Sequence, residues 1–257
     1  GVRELTLIGQ DLTAYGADLQ DGSTLARLLE SILSATTIPW LRLLYLYPTG
    51  ISDELLALMA SEERIVPYLD IPLQHVSDQV LKRMNRRYGR QELDELLQKI
   101  RQRLPECAIR TTLMVGFPGE TEADVTEMLD FLERWQLDHV GIFTYADEEG
   151  SPAVLLPDKV AEEVKQERYE RLMERQAALS EERQKRFVGR VEPVLIEGIS
   201  RESELLLEGR TRYQAPDIDG CVYITAGRGD QGEIALARIT EAHTYDLVGE
   251  LLTGDEQ

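Results

Sequence analysis

Residues 109–121 read Ile-Arg-Thr-Thr-Leu-Met-Val-Gly-Phe-Pro-Gly-Glu-Thr. In an extended chain Ile109, Leu113 and Val115 share one face, and Arg110 and Thr112 share the other. Gly116 and Gly119 then let the backbone turn tightly and let a ligand come close. Thr121 followed by Asp124 is a capping pattern that starts a helix. The N–H groups of that helix start suit a carboxylate or a phosphate. The alternative is a strand–helix turn with a good cap and no ligand. A buried strand passing through a glycine turn into an amphipathic helix is the repeating unit of a parallel α/β fold.

The same alternation fills the chain from its start to about residue 147. Candidate strands are Glu4–Ile8, Leu41–Tyr47, Tyr68–Leu73, Ala108–Val115 and Val140–Tyr145. Candidate helices begin near Ser23, Ser52, Ser77 or Arg90, and Thr121. Five strands are too few to close an eight-stranded barrel. The chain begins almost on a strand, so an open or partial barrel without its first unit is expected. Asp158 to Phe187 is densely charged and has no Gly or Pro. Val160, Val164, Leu172, Met173 and Leu179 recur there at roughly helical spacing, which predicts one long helix with a single apolar stripe. Its charges read as a solvated face, with partner binding as the alternative. From Gly189 onward, Val191–Glu197, Glu204–Thr211, Val222–Thr225, Glu233–Ile239 and Tyr245–Leu251 are short runs split by Gly, Asp and Ser, the pattern of a small all-β barrel or sandwich.

The 257 residues are 42% hydrophobic, enough for one large domain or a medium and a small one. They carry 28 basic and 47 acidic side chains, a net charge of −19, which repels free DNA. No apolar run approaches the roughly 18 residues of a membrane span, and none opens the chain as a signal peptide. A soluble cytoplasmic protein is the expectation. The first residue is Gly1 rather than Met, which suggests a fragment or a processed chain. Cys107 and Cys221 lie far apart, and His75, His139 and His243 are scattered, so no self-contained metal site is spelled out.

Polar residues inside strands mark candidate sites. In residues 68–75, Leu69, Ile71 and Leu73 point to the helices, while Tyr68 and Asp70 point into the barrel. Neighbouring strands then bring Asp70 to Arg110, either as a structural ion pair or as a polar ligand lining. Gln74 and His75 fall at the strand's C-terminal end, where parallel α/β folds hold ligands. For His75 a cap or a satisfied donor is the plainer reading. Gln10 and Asp11 face the same mouth or cap a turn. Glu120 suits an amine or a cation at that mouth. Asp147, Glu148 and Glu149 are either bare surface or the wall of a site for a basic substrate.

These runs, in this order, resemble the radical S-adenosylmethionine (SAM) methylthiotransferases. The likeness is carried by Gly9-Gln10-Asp11, Tyr68 through His75, Leu81-Lys82-Arg83-Met84, Arg110-Thr111-Thr112, Val115 through Thr121, and Tyr145 through Ser151. Gly209-Arg210 and Ala215-Pro216-Asp217-Ile218-Asp219-Gly220 look like the TRAM domain that comes next in this family. The resemblance implies an α/β partial barrel lacking its first strand over residues 1–157, a linking helix over 158–186, and a small all-β, OB-like TRAM barrel over 187–257. His75-Val76-Ser77 and the acidic 147–149 favour the branch that methylthiolates an aspartate of ribosomal protein S-12 over the branch that modifies adenosine in tRNA. Residues 187–257 hold six Arg, no Lys and fourteen Asp or Glu, a net of −8. A surface of that sign suits a basic protein better than RNA, though it also serves solubility alone.

The resemblance further implies SAM and two 4Fe–4S clusters in the intact enzyme, where SAM is reduced to a 5′-deoxyadenosyl radical. The cysteines that hold both clusters are absent from this chain, so it reads as a C-terminal fragment, inactive by itself. Gly116, Glu120, Gln10, Asp11, Gln74 and Arg110 are the implied cofactor contacts, and Asp147, Glu148 and Glu149 the implied substrate approach. A non-catalytic binding module and a phosphate-ligand barrel are the rivals of another class. The partner is expected to be ribosomal protein S-12 or the small ribosomal subunit, with some self-association through the exposed barrel edge.

Overall fold

The computed structural model describes residues 1–252. Five parallel strands, β1 (Glu4–Leu7), β2 (Trp40–Leu43), β3 (Tyr68–Asp70), β4 (Ala108–Val115) and β5 (His139–Thr144), alternate with helices α1 (Leu25–Ala35), α2 (Asp53–Ser61), α3 (Asp78–Arg83), α4 (Arg90–Arg103) and α5 (Glu122–Trp135). β1 pairs with β2, and β3–β4–β5 form a second ladder. The seam between the ladders is thin: a bridge joins Leu41 to Ile65, and Leu46 N–H donates to the Asp70 carbonyl at 2.9 Å. The arc is an open half-barrel, as the strand count requires.

Alternation along each strand sorts the core. Leu69, Ile71, Leu73, Ile109, Leu113 and Val115 pack outward against the helices. Ser52 starts α2 by accepting the Leu55 N–H, and the Asp124 carboxylate accepts the Thr121 N–H at the start of α5. Both Ser77 and Arg90 prove to be helix starts, because the chain breaks at Met84–Gly89.

The long helix α6 (Glu162–Gln184) is present, but its buried face differs from the expected apolar stripe. Leu172 and Leu179 are buried, whereas Val164 is exposed. Lys165, Arg168, Gln176, Ser180 and Gln184 are buried instead. Their polar ends meet main-chain carbonyls: Lys165 Nζ on Tyr145 at 2.9 Å, Gln176 Nε2 on Leu137 at 3.2 Å, Ser180 Oγ on Thr244 at 2.7 Å and Gln184 Nε2 on Tyr245 at 2.9 Å. The helix thereby straps the half-barrel to the C-terminal strands.

Beyond it, β6 (Val191–Ile199), β7 (Leu207–Thr211), β8 (Val222–Ala226), β9 (Ile234–Ala242) and β10 (Leu247–Leu251) close into a five-stranded barrel in the order β10–β8–β7–β6–β9. This small barrel caps the inner face of the half-barrel. Trp40, Leu44, Val66, Tyr68 and Ala108 from the first share one apolar cluster with Phe187, Tyr213, Ala215 and Val222 from the second.

Candidate functional site at the strand ends

At the C-terminal ends of β3, β4 and β5 the sheet opens into a cavity of about 490 Å³. Met84, Met114, Phe117, Phe143, Tyr145 and Leu156 give it apolar walls, and Gln74, Asn85, Arg86 and Glu148 bring polar groups. Its size and lining suit a small amphipathic molecule. Arg86, among the described residues, forms no ion pair, so a carboxylate or phosphate ligand would find its charge available. Gln74 stands at φ +66° and Asn85 at φ +57°. At Gln74 this strained region marks a candidate ligand site, whereas Asn85 is the left-handed residue that ends α3, its N–H donating to the Lys82 carbonyl at 3.1 Å and the Arg86 N–H to the Leu81 carbonyl at 2.9 Å. Reading the sequence alone missed Arg86 and Asn85. The signal was the run of three arginines around 83–87 with no acid beside it.

Of the anticipated contacts, Gln74 and Glu148 line this cavity. Asp147 is instead engaged by the Tyr145 hydroxyl at 2.7 Å and by Lys159. Lys159, with the Tyr145 hydrogen bond, holds its carboxyl below the usual range. Glu149 and Gln10 are exposed and line no part of the cavity. Asp11 caps the short turn after β1, accepting the Thr13 N–H at 2.9 Å and the Thr13 hydroxyl at 2.5 Å. It is a cap, the plainer of its two readings.

Gly116 and Glu120 form a closed structural knot rather than a cradle. Glu120 Oε1 accepts the Gly116 N–H at 2.9 Å and Arg168 Nη1 at 2.8 Å, while Oε2 lies 3.2 Å from His75 Nε2. Its side chain is fully enclosed. His75 Nδ1 accepts the Ser77 N–H at 3.0 Å, so the network assigns the ring proton to Nε2, facing Glu120. A Cβ on Gly116 would lie 2.3 Å from Lys165 Cγ, so α6, not a ligand, occupies the space this glycine leaves.

Arg110 and Asp70 do meet, at 3.1 Å, but away from the cavity. They belong to the joint with the small barrel. Asp219, from the loop before β8, lies 3.4 Å from Arg110 Nε and 3.5 Å from His139 Nδ1, and accepts the Tyr68 hydroxyl at 2.6 Å. Burial, with the Asp219 carboxylate next, holds the Tyr68 phenol well above its ordinary pKa, so it stays a donor. A second cluster lies beside it. Arg42, wholly buried, reaches Glu4 at 2.5 Å, and Arg210 reaches the other Glu4 oxygen at 2.7 Å. Burial alone would raise the Glu4 carboxyl; Arg42 and Arg210 outweigh it and bring it below the usual range.

No group of three or more His, Cys, Asp or Glu among the described residues suits a metal ion. Burial pushes both thiols up, Cys107 strongly and Cys221 to about 12, and they sit in different barrels. These residues do not fit an iron–sulfur cluster. No helix among the described residues is long and apolar enough to cross a membrane.

Known proteins resemble both barrels. Residues 1–132 match the family model of the radical SAM superfamily, and residues 188–252 that of the TRAM domain. The chain is 55% identical over 249 residues to the ribosomal protein uS12 methylthiotransferase RimO of Desulfotalea psychrophila, covering 97% of this chain and 56% of the relative. It is 51% identical over 257 residues to the RimO of Syntrophotalea carbinolica, covering 100% and 56%. The chain thus spans about half the length of the curated relatives it matches. Among solved structures, the radical SAM methyltransferase TsrM of Kitasatospora setae aligns over 55% of this chain and 27% of its own at 16% identity, with a TM-score of 0.43.

Proposed function

The chain belongs to the radical SAM superfamily, and from that premise we propose that it is the barrel and TRAM portion of an enzyme that methylthiolates an aspartate side chain of ribosomal protein uS12. One observation carries the reading: relatives named for that reaction align with 97–100% of this chain at up to 55% identity. The charge of residues 187–257, −8, supports a basic protein rather than RNA as the partner. A soluble, cytoplasmic setting agrees with a ribosomal substrate. The change from half-barrel to strap helix to closed β-barrel supports a division into residues 1–157, 158–186 and 187–257.

The strand-end cavity fits SAM in size and donor set. Met84, Met114, Phe117 and Phe143 would lie along its adenosine, Arg86 would hold its carboxylate, and the Gln74 amide would orient it. When bound, SAM supplies hydrogen-abstracting radical chemistry. The chain's own part is to bind and orient, with apolar side chains along the adenosine. Glu148, on the rim, faces the approach of a positively charged segment. Two cysteines in separate barrels furnish no ligand set for an iron–sulfur cluster.

The test is a binding competition at fixed salt, since both interactions depend on it. Labelled uS12 competes with a tRNA anticodon stem-loop for this chain. Preference for uS12 is expected. Preference for the RNA would replace this reading with the adenosine-modifying one. Binding to neither would remove substrate recognition from this portion.

A further inference from the structure

Tyr45 stands at φ +58° just beyond β2, and it is 44% exposed. For a bulky aromatic this conformation costs about 1–2 kcal/mol and persists only where its surroundings impose it. Asp70 imposes it. The Tyr45 N–H donates to Asp70 Oδ2 at 3.1 Å, and the next residue, Leu46, donates to the Asp70 carbonyl at 2.9 Å. The other carboxylate oxygen of Asp70 accepts Arg110 Nη1 at 3.1 Å. Arg110 in turn faces Asp219 of the small barrel at 3.4 Å, and Asp219 is fixed by Tyr68 and by the Ala215 N–H at 2.8 Å.

We propose that Asp219, Arg110 and Asp70 form a positioning relay through which the seating of the 215–220 loop sets the conformation of Tyr45. The two states are physically distinct. With Asp219 seated, Arg110 is shared between two carboxylates, and Asp70 keeps one oxygen for the Tyr45 N–H. Without the Asp219 charge, the guanidinium turns wholly onto Asp70 and competes for that oxygen. Tyr45 then relaxes to negative φ. A partner that shifts the 215–220 loop is thereby felt at a strand end of the half-barrel, and Tyr45 is the residue that reports it. The relay does not depend on the methylthiotransferase reading, and its test uses neither cofactor nor substrate.

The test is site-resolved hydrogen exchange on the whole chain, in a Trp135→Phe background that leaves Trp40 as the single indole. Trp40 is 4% exposed in the apolar cluster shared by the two barrels, so its emission reports docking. Asp219→Asn keeps the acceptor for Tyr68 and removes the charge. Release of the strain predicts exchange at the Tyr45 amide faster by about tenfold, with Trp40 emission and the Leu113 amide unchanged. Tyr45 exchange that stays at the parent rate in Asp219→Asn, while Asp70→Asn accelerates it, would reduce Asp70 to a local clamp and overturn the relay. Acceleration that comes only with a red shift of Trp40 would mean undocking of the small barrel, and would overturn it equally. If Asp219→Asn does not fold, Arg110→Lys carries the same readouts and the same two contrary outcomes.

Discussion

Glu120 is enclosed on all sides and satisfied by three groups from three segments: Gly116, His75 and Arg168. Removing its charge leaves the buried Arg168 guanidinium with only the more distant Glu122, at 3.8 Å, as a charge partner, and breaking such a pair from one side is costly. Glu120→Gln should therefore lower the urea-unfolding free energy by about 3 kcal/mol. Gly116→Ala should also destabilise, since it meets both a positive φ of 76° and Lys165. Gln10→Ala, at an exposed position, should stay within about 0.5 kcal/mol of the parent. The glycine turn was legible in the sequence as a turn with a capped helix. Its purpose was not, because Lys165 and Arg168 arrive some 48 residues later and only the folded chain brings them home. The facing of Asp70 and Arg110 was legible because strands have a strict period of two.

Among the elements, α6 shows where periodicity stops informing. A stripe of Val160, Val164, Leu172, Met173 and Leu179 has helical spacing, and a helix is present. The face it buries is nonetheless mixed, Leu172 and Leu179 standing among buried polar side chains, because it lies across carbonyl-rich strand ends of two barrels. Asp138, at the foot of β5, is the hub of this strap. It accepts the Ile109 N–H at 2.9 Å and pairs with Arg101 at 3.3 Å, Arg183 at 3.0 Å and Arg186 at 2.7 Å. Asp138→Ala should cost about 3–5 kcal/mol in urea unfolding. Gln176→Leu, which loses one bond to a carbonyl, should cost only about 1 kcal/mol. Equal costs would contradict the hub. The β-strands of the small barrel were placed within a few residues because Gly, Asp and Ser punctuate them. The strand at Leu41–Tyr47 was read too long, because the left-handed Tyr45 ends it and alternation carries no sign of that.

Across the whole molecule, two barrels are joined by buried charge as well as apolar packing. Glu4 is a carboxylate of that joint whose shift has a clear direction. Its folded pKa lies below the ordinary 4.5, so its contribution is complete above that value and is lost as the pH falls through the lower folded one. Trp40 emission in the Trp135→Phe background should therefore hold steady from neutral pH down to about 4.5 and red-shift below it, as Glu4 protonates and releases Arg42 and Arg210. Glu4→Gln should show the shifted emission already at neutral pH. The small barrel's seat on the half-barrel was beyond sequence reading, since no local pattern pairs Arg210 with Glu4 or Asp219 with Tyr68.

The SAM-binding part of the proposed function rests on the cavity at the ends of β3, β4 and β5. Hydrogen exchange in the presence of S-adenosylhomocysteine, a stable stand-in for SAM with the same adenosine and carboxylate, tests it most directly. Saturable protection confined to residues 83–86, 114–117 and 143–146, and weakened by about tenfold in Arg86→Gln, is the predicted result. Protection elsewhere on the chain, or binding indifferent to Arg86→Gln, would contradict it.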